Sequence, residues 1–228
     1  MAKIVWDEVG KRFYETGVNH GVLFVYDSST KAYGNGVAWN GLTAVNENPS
    51  GAESNPQYAD NIKYLDLISS EQFGATIEAF YYPDEFEECD GTKEIKPGIT
   101  ATQQNRKMFA FSYRSELGND TDGNDYGYKL HIVYGAKAAP SAKSRSTIND
   151  SPEAAAFSWE VSTTPVAVNT EGFKPTSHIV IDSTKSDPAI LTKIEETLYG
   201  SATKEPTLLL PDDIAAIEGN STPVTPAG

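Results

Sequence analysis

Apolar and polar residues alternate in several short stretches of the chain, and glycine, proline, asparagine or aspartate bounds most of these stretches. In one of them, Phe157, Trp159 and Val161 occupy every second position. Because successive side chains of a strand point to opposite faces, this period of two predicts strands with one buried face. The predicted strands cover residues 21–26, 62–68, 75–81, 108–114, 129–134, 157–163 and 178–182.

Two of the predicted strands, 21–26 and 62–68, are almost continuously apolar instead of alternating. Continuous apolar runs are typical of strands that are covered on both faces. We therefore expect both strands to be covered twice, and one face of each could meet a neighbouring subunit.

Helical signals are few. Asp187 is a good N-cap, Pro188 suits the first helical position, and Gly200 is a suitable stop after an apolar stripe. Shorter turns are expected within residues 83–89 and 212–217. The fold class is therefore mainly β, with one or two short flanking helices.

Polar segments without periodicity form three long predicted loops, at residues 43–60, 115–125 and 135–152. The simplest organisation is a single β domain over residues 1–217, with an N-terminal arm at about residues 1–18 and a long loop at about residues 43–60. The composition of residues 218–228 predicts a disordered tail.

Charge and cysteine content exclude several classes of function. The formal net charge is -14, which argues against a surface that grips nucleic-acid phosphates. The single cysteine, Cys89, excludes an internal disulfide and every cysteine-rich zinc site, and it suits a reducing cytoplasm. The N-terminal residues do not resemble a signal peptide, and no apolar run approaches the ~20 residues of a membrane span, so no membrane insertion is expected.

Candidate chemistry is sparse. Residues 120–125 resemble the opening of a calcium loop, but the glycine and glutamate that such a loop requires are replaced by Asp125 and His131, so an acidic hairpin turn is favoured. The three histidines have no zinc-site spacing, and no nucleophile motif is present. We expect no catalytic residue, no cofactor and no metal.

The aromatic residues leave alternatives open. Exposed Trp and Tyr side chains could stack on sugars, which would make the protein a carbohydrate-binding or decoration module of a virion. Core packing and subunit contact explain the same residues equally well. A hydrolase built on a β sandwich would need paired carboxylates in a cleft, and the acidic pairs 87–88 and 195–196 are better explained as solvated helix faces.

Several segments resemble the major tail proteins of long-tailed, non-contractile bacteriophages (siphophages), especially those of Gram-positive hosts. The opening run from Trp6 to Val18, followed by Gly-Val-Leu-Phe at 21–24, is similar to the N-terminal signature of that family. The similarity continues in order to about residue 217. The other similar segments are 79–86, 90–91, 111–114, 118–120, 128–131, 149–154, 157–165 and 198–200.

The resemblance implies a two-sheet β sandwich or barrel with a flanking helix. It also implies that six copies close into a ring and that stacked rings form a tail tube, through which genomic DNA passes without specific binding. The implied partners are further copies of the chain, a tape measure protein, a tail terminator and a distal tail protein. The implied location is the virion tail, assembled in the host cytoplasm, with no enzymatic activity.

Candidate residues for this role come from the predicted elements. Acids near the strands 62–68 and 75–81 are candidates for a lumen that repels phosphate: Asp66, Glu71 and Glu78. Aromatic and loop residues are candidates for contacts between subunits or rings: Trp6, Phe13, Tyr14, Trp39, Asn46 and Asn48. We also expect deletion of the loop 43–60 to leave folding intact while blocking tube growth.

Overall fold

Strands dominate the computed structural model of the chain, which describes residues 3–148, 150–151 and 154–219. The strands are β1 (Tyr14–Asp27), β2 (Ala32–Tyr33), β3 (Val37–Trp39), β4 (Leu42–Glu47), β5 (Ser54–Ala59), β6 (Ile62–Ile68), β7 (Gly74–Ala79), β8 (Lys93–Lys96), β9 (Ile99–Ala101), β10 (Phe109–Asn119), β11 (Gly123–Ala138), β12 (Phe157–Thr163) and β13 (His178–Asp182). Two short α-helices, α1 (Pro188–Tyr199) and α2 (Pro211–Ala215), and a 3₁₀ turn at Asp84–Phe86 complete the regular structure of the described residues.

One large antiparallel sheet folds over to form a β sandwich. Its strands follow the order β2-β1-β10-β11-β12-β7-β4, while β13 also pairs with β11 and β3 with β1. The path runs from β2 to β4 without closing on itself. The expected mainly β sandwich with short flanking helices is confirmed.

The long strand β11 passes from one layer of the sandwich into the other. Its first part pairs with β10 and β13, and its end, from Ala136 to Ala138, pairs with β12. Between the two parts lies Gly135, whose φ is 62°. A Cβ atom at this position would lie 2.1 Å from the backbone oxygen of Thr164, so only glycine fits where the strand bends.

Two apolar cores lie on opposite sides of the layer that contains β1, β10 and β11. The core between the two layers includes Leu23, Phe109, Val133, Trp159 and Val161. The second core packs the other face of the layer against helix α1 and the segment after it. The expectation that residues 21–26 are covered on two faces is therefore confirmed.

Helix α1 has the ends that the sequence predicts. The Asp187 side chain accepts a hydrogen bond from the Ala189 amide at 2.8 Å, Pro188 opens the helix, and Gly200 follows it with a φ of 76°. Its buried face consists of Leu191, Ile194 and Leu198. The expected turns near residues 83–89 and 212–217 correspond to the 3₁₀ turn and to α2.

A buried carboxylate ties the segment after the 3₁₀ turn to the rest of the sandwich. The Asp90 side chain accepts hydrogen bonds from Trp159 Nε1 at 3.2 Å and from Arg106 Nη1 at 3.3 Å. It also forms an ion pair with Lys143. Because Asp90 is buried, these donors supply the polar contacts that water would otherwise provide.

The three predicted loops are shorter than expected. Strand β5 and all of β4 except Leu42 lie within residues 43–60, strand β10 extends to Asn119, and strand β11 extends to Ala138. The sequence prediction was wrong here because these segments have few apolar residues or no regular alternation. Strand β4 forms by pairing with β7, which is distant in the chain, whereas β5 and the ends of β10 and β11 form by pairing within the hairpins β5–β6 and β10–β11. The N-terminal arm is also shorter, since β1 begins at Tyr14.

The acidic stretch 120–125 forms the hairpin turn that the sequence favours. Asn119 Oδ1 accepts hydrogen bonds from the backbone amides of Thr121 and Asp122. The turn therefore uses asparagine and aspartate in their usual turn-stabilising role. Of the predicted C-terminal tail 218–228, residues 220–228 lie outside the described part of the chain.

Candidate assembly surface

A hairpin formed by β5 and β6 carries apolar side chains on both of its faces. All seven residues of β6 are exposed, so neither face of residues 62–68 is covered within the subunit, whereas the sequence predicts cover on both faces, one of which could meet a neighbouring subunit. The pairing of β5 with β6 skips Tyr64, so cross-strand partners place Ile62, Leu65 and Leu67 on one face, and Tyr58 and Ile68 on the other. An isolated two-stranded hairpin with exposed apolar residues on both faces is unfavourable in water, and such patches mark interaction surfaces.

The hairpin projects from the edge of the sandwich between β4 and β7. Its base is closed by Ser50 and Gln72, whose backbone groups exchange hydrogen bonds at 2.9 and 2.7 Å. Gly51, with a φ of 85°, lies so close to Ser70 that an added Cβ would be 2.4 Å from the Ser70 carbonyl oxygen. From this narrow base, strands of this length reach about 20 Å, since a strand rises roughly 3.3 Å per residue.

The N-terminal segment is a second exposed apolar surface. Trp6 is 75% exposed, and Ile4, Val5 and Val9 are also exposed. The following residues are held against the turn between β10 and β11, where the Gly10 amide donates to Asp120 Oδ1 at 3.0 Å. The segment is therefore anchored at its C-terminal end, and its apolar N-terminal end is uncovered.

Phe13 and Tyr14 belong to the anchored end of this segment. The Phe13 ring lies 5.0 Å from the Tyr126 ring, and the Tyr14 hydroxyl donates to Asn124 Oδ1 at 2.8 Å. Both aromatic residues remain partly accessible at the surface.

A third surface, the outer face of β4, β7 and β12, is polar. Glu78 lies opposite Ser158, and Thr76 lies between Asn46 on one neighbouring strand and Glu160 on the other. The apolar residues of the same strands, such as Ile77, point the other way into the core. This face therefore presents hydroxyl, amide and carboxylate groups to its surroundings; we call it the polar face.

Of the three acids predicted for a lumen, only Glu78 lies on the polar face. Asp66 lies on the apolar hairpin, where Lys63 Nζ and the Ser54 hydroxyl both donate to it at 2.6 Å. These hydrogen bonds, with that of Lys63 the strongest influence, lower the pKa of Asp66. Glu71 is exposed beside the hairpin base. Glu160 also lies on the polar face but is not among the predicted lumen acids, although its alternation with Trp159 indicates an outward side chain.

The prediction that Trp39 contacts a neighbouring subunit is wrong, because this side chain is only 3% exposed. Its ring lies 4.5 Å from Phe86 and 5.8 Å from Trp159, and its Nε1 donates to the Tyr81 carbonyl at 3.1 Å. Asn48 is exposed and donates to Thr76 Oγ1 at 2.9 Å, beside the polar face.

Two of the three histidines come together although they are far apart in sequence. Strand β13 pairs with β11 so that His178 lies opposite Val133, which places its Nε2 3.1 Å from Nδ1 of His131. Burial lowers the pKa of His131 to about 4 and also lowers that of His178, so both rings are neutral at pH 7. His20 lies elsewhere, on the surface beside Asn19.

Within the described residues, the longest helix has 12 residues, and none has the length and apolarity that crossing a bilayer requires. Comparison of the chain with protein-family models and with curated proteins gives no match.

Proposed function

We propose that the protein is a structural subunit that self-assembles into the tail tube of a long-tailed, non-contractile bacteriophage. In this proposal six copies form a ring, and stacked rings form the tube. The observation that carries the proposal is the β5–β6 hairpin, which is apolar on both faces and uncovered in the single subunit. Such a hairpin needs a partner on each face, and identical neighbours provide one.

The position of the hairpin supports contacts between unlike surfaces of identical subunits. A projection of about 20 Å from a narrow base can cross a subunit boundary and pack on a different part of its neighbour. Contacts of this heterologous kind generate closed rings when the rotation between copies closes, and open helical stacks when it does not. A tube of stacked rings combines the two.

The polar face supports the role of a DNA conduit. It carries Glu78 and Glu160 and presents no exposed large apolar side chain from β7 or β12. A wall that bears carboxylates repels phosphate, so DNA passes without adhering. The net charge of -14 is consistent with this role. We propose that the polar face lines the lumen.

The proposed partners follow from the same role. They are further copies of the chain, a tape measure protein inside the growing tube, and a tail terminator and a distal tail protein at its two ends. The proposed location is the virion tail, after assembly in the host cytoplasm.

The proposal is tested by negative-stain electron microscopy of the purified protein over a series of concentrations. We expect hollow rings or tubes of uniform diameter, which appear above a threshold concentration. A protein that stays monomeric at all concentrations and binds glycans in a screen would instead support a carbohydrate-binding or decoration module.

A hairpin-less variant makes the same experiment specific. Deleting residues 43–60 is unsuitable, because this removes all of β4 except Leu42, including Val45, which packs on the core. Replacing residues 51–71 by Asn-Gly keeps the bridge between Ser50 and Gln72 and closes it with a two-residue turn. We expect this variant to fold and to form no tubes; tubes of normal diameter would contradict the proposal.

A further inference from the structure

The paired histidines form part of a cluster that also contains a carboxylate. Glu47 Oε1 lies 3.5 Å from His131 Nδ1 and 4.0 Å from His178 Nε2, while the two ring nitrogens are 3.1 Å apart. The three donor atoms thus form a triangle with edges of 3.1, 3.5 and 4.0 Å. We call these three residues the His-His-Glu cluster.

This triangle has the dimensions of one face of a tetrahedral zinc site. Zinc bonds to histidine nitrogen and carboxylate oxygen are about 2.0–2.2 Å long, which places neighbouring ligands of a tetrahedron about 3.3–3.6 Å apart. One observed edge is shorter than this range, one lies within it and one is longer, so each donor needs to move by only a fraction of an ångström. From this geometry we infer that Glu47, His131 and His178 bind a divalent zinc-like ion through Oε1, Nδ1 and Nε2.

The protonation pattern around His131 leaves the correct nitrogen free. The Ser115 hydroxyl donates to Glu15 Oε1 at 2.5 Å, so its oxygen is available to accept from Nε2–H of His131, 3.0 Å away. With the proton on Nε2, the lone pair of the ring is on Nδ1, which faces the other two donors. Metal-binding histidines typically have such a partner on the second nitrogen.

The side chains of the cluster are also held in place by packing. The Tyr113 ring stacks on His131 at a centroid distance of 4.5 Å, and its hydroxyl donates to Glu47 Oε1 at 3.0 Å. The Phe73 ring lies 4.5 Å from the His178 ring. Ligands that are oriented before the ion arrives lose little conformational entropy on binding.

The location of the cluster indicates what a bound ion does. Glu47 is on β4 in one layer of the sandwich, whereas His131 and His178 are on β11 and β13 in the other. An ion bound by all three residues cross-links the two layers. A cleft of about 300 Å³ beside Glu47 and His131 leaves room for water as a fourth ligand. The site is structural, and it is independent of the proposed tube.

Isothermal titration of the purified, unassembled chain with Zn²⁺ tests this inference. We expect one ion per chain with a dissociation constant in the micromolar range or below, and Co²⁺ in place of Zn²⁺ should give the visible absorption of a tetrahedral centre. Zinc should also raise the temperature of thermal unfolding. Failure of the wild-type chain to bind Zn²⁺ at millimolar concentration overturns the inference.

Matched variants identify the ligands. Because His131 is buried in the core, the decisive variants are His178→Gln and the more exposed Glu47→Gln, with circular dichroism to confirm that each is folded. Each should weaken Zn²⁺ binding at least tenfold and abolish the thermal shift. His20→Gln, which changes the exposed histidine outside the cluster, should bind like wild type. Unchanged binding by both decisive variants, or displacement of the ion by excess Mg²⁺, would instead identify an acidic surface site.

Discussion

Replacing apolar residues of the β5–β6 hairpin by serine should block assembly without affecting folding. Leu65 and Leu67 share one face of β6, are 41% and 56% exposed, and lie outside both apolar cores. Substitutions at such positions usually change the free energy of unfolding by less than about 0.5 kcal/mol. The subunit should therefore remain folded when both leucines are replaced.

The expected effect on assembly follows from the exposed area. Burying one leucine side chain completely contributes about 1.5–3 kcal/mol. The exposed fractions of Leu65 and Leu67 add up to about one whole leucine side chain, so covering them in an assembly contributes about 1.5–3 kcal/mol per subunit. Since 1.4 kcal/mol corresponds to a factor of ten, the double variant Leu65→Ser/Leu67→Ser should raise the critical concentration for assembly about 10- to 100-fold.

Light scattering over a concentration series, followed by pelleting of the polymer, measures the critical concentration. A variant of the opposite face, Tyr58→Ser/Ile68→Ser, should have a similar or larger effect, because both residues are more exposed than the leucines. Phe173→Ser is a control outside the hairpin, at a comparably exposed apolar position. The urea midpoint of every variant should match that of the wild type.

Two results would refute this reasoning. If the critical concentration of the leucine variant equals that of the wild type, the hairpin face is not covered in the assembly. If the control at Phe173 raises the critical concentration as strongly, the effect is one of general surface hydrophobicity and not of the hairpin.

Three further predictions concern the stability of the subunit. The variant Asp90→Asn leaves Arg106 and Lys143 without the counter-charge of this buried carboxylate, so the free energy of unfolding measured in urea should fall by about 3–5 kcal/mol. The control Lys11→Ala removes an exposed ion pair and should leave the urea midpoint unchanged. Burial raises the pKa of Cys89 to about 12, so iodoacetamide should alkylate it at pH 8 only as the protein unfolds; rapid labelling of the native protein would contradict its burial. Gly135→Ala should lower the unfolding temperature more than Gly172→Ala. Both glycines have a positive φ, but only a Cβ at position 135 would clash with the backbone, so equal shifts would exclude the clash as the cause.

The sequence predicts those elements whose type and ends are marked by neighbouring residues, such as an alternating run or a helix cap. The alternation of 157–163 predicts β12, and the Asp187 cap with Gly200 predicts the limits of α1. The strands β4 and β5 are not predicted, because β4 has no regular alternation and β5 is polar, and they form only through pairing with β7 and β6. Strand pairing between distant segments is not determined by periodicity alone.

The same limit applies to the candidate sites. Trp39 and Trp6 have the same amphipathic side chain, and only the fold places the first in the core and the second on the surface. The register of β13 on β11 brings His178 beside His131, although the two residues are 47 positions apart and the sequence between them gives no sign of the contact. The apolar run 62–68 does contain a usable signal, since continuous hydrophobicity in a strand requires cover on both faces. The sequence does not decide whether that cover comes from the same subunit.

The arrangement of the cores separates folding from assembly. Both faces of the layer formed by β1, β10 and β11 are covered within one subunit, so the subunit does not need its neighbours in order to fold. The hairpin and the N-terminal segment lie outside these cores, whereas the His-His-Glu cluster joins the two layers of the sandwich. Changes in the hairpin should therefore shift the critical concentration at constant unfolding temperature, and zinc should shift the unfolding temperature at nearly constant critical concentration. A variant that moves both quantities together would show that the subunit completes its folding only on assembly, which the two buried cores argue against.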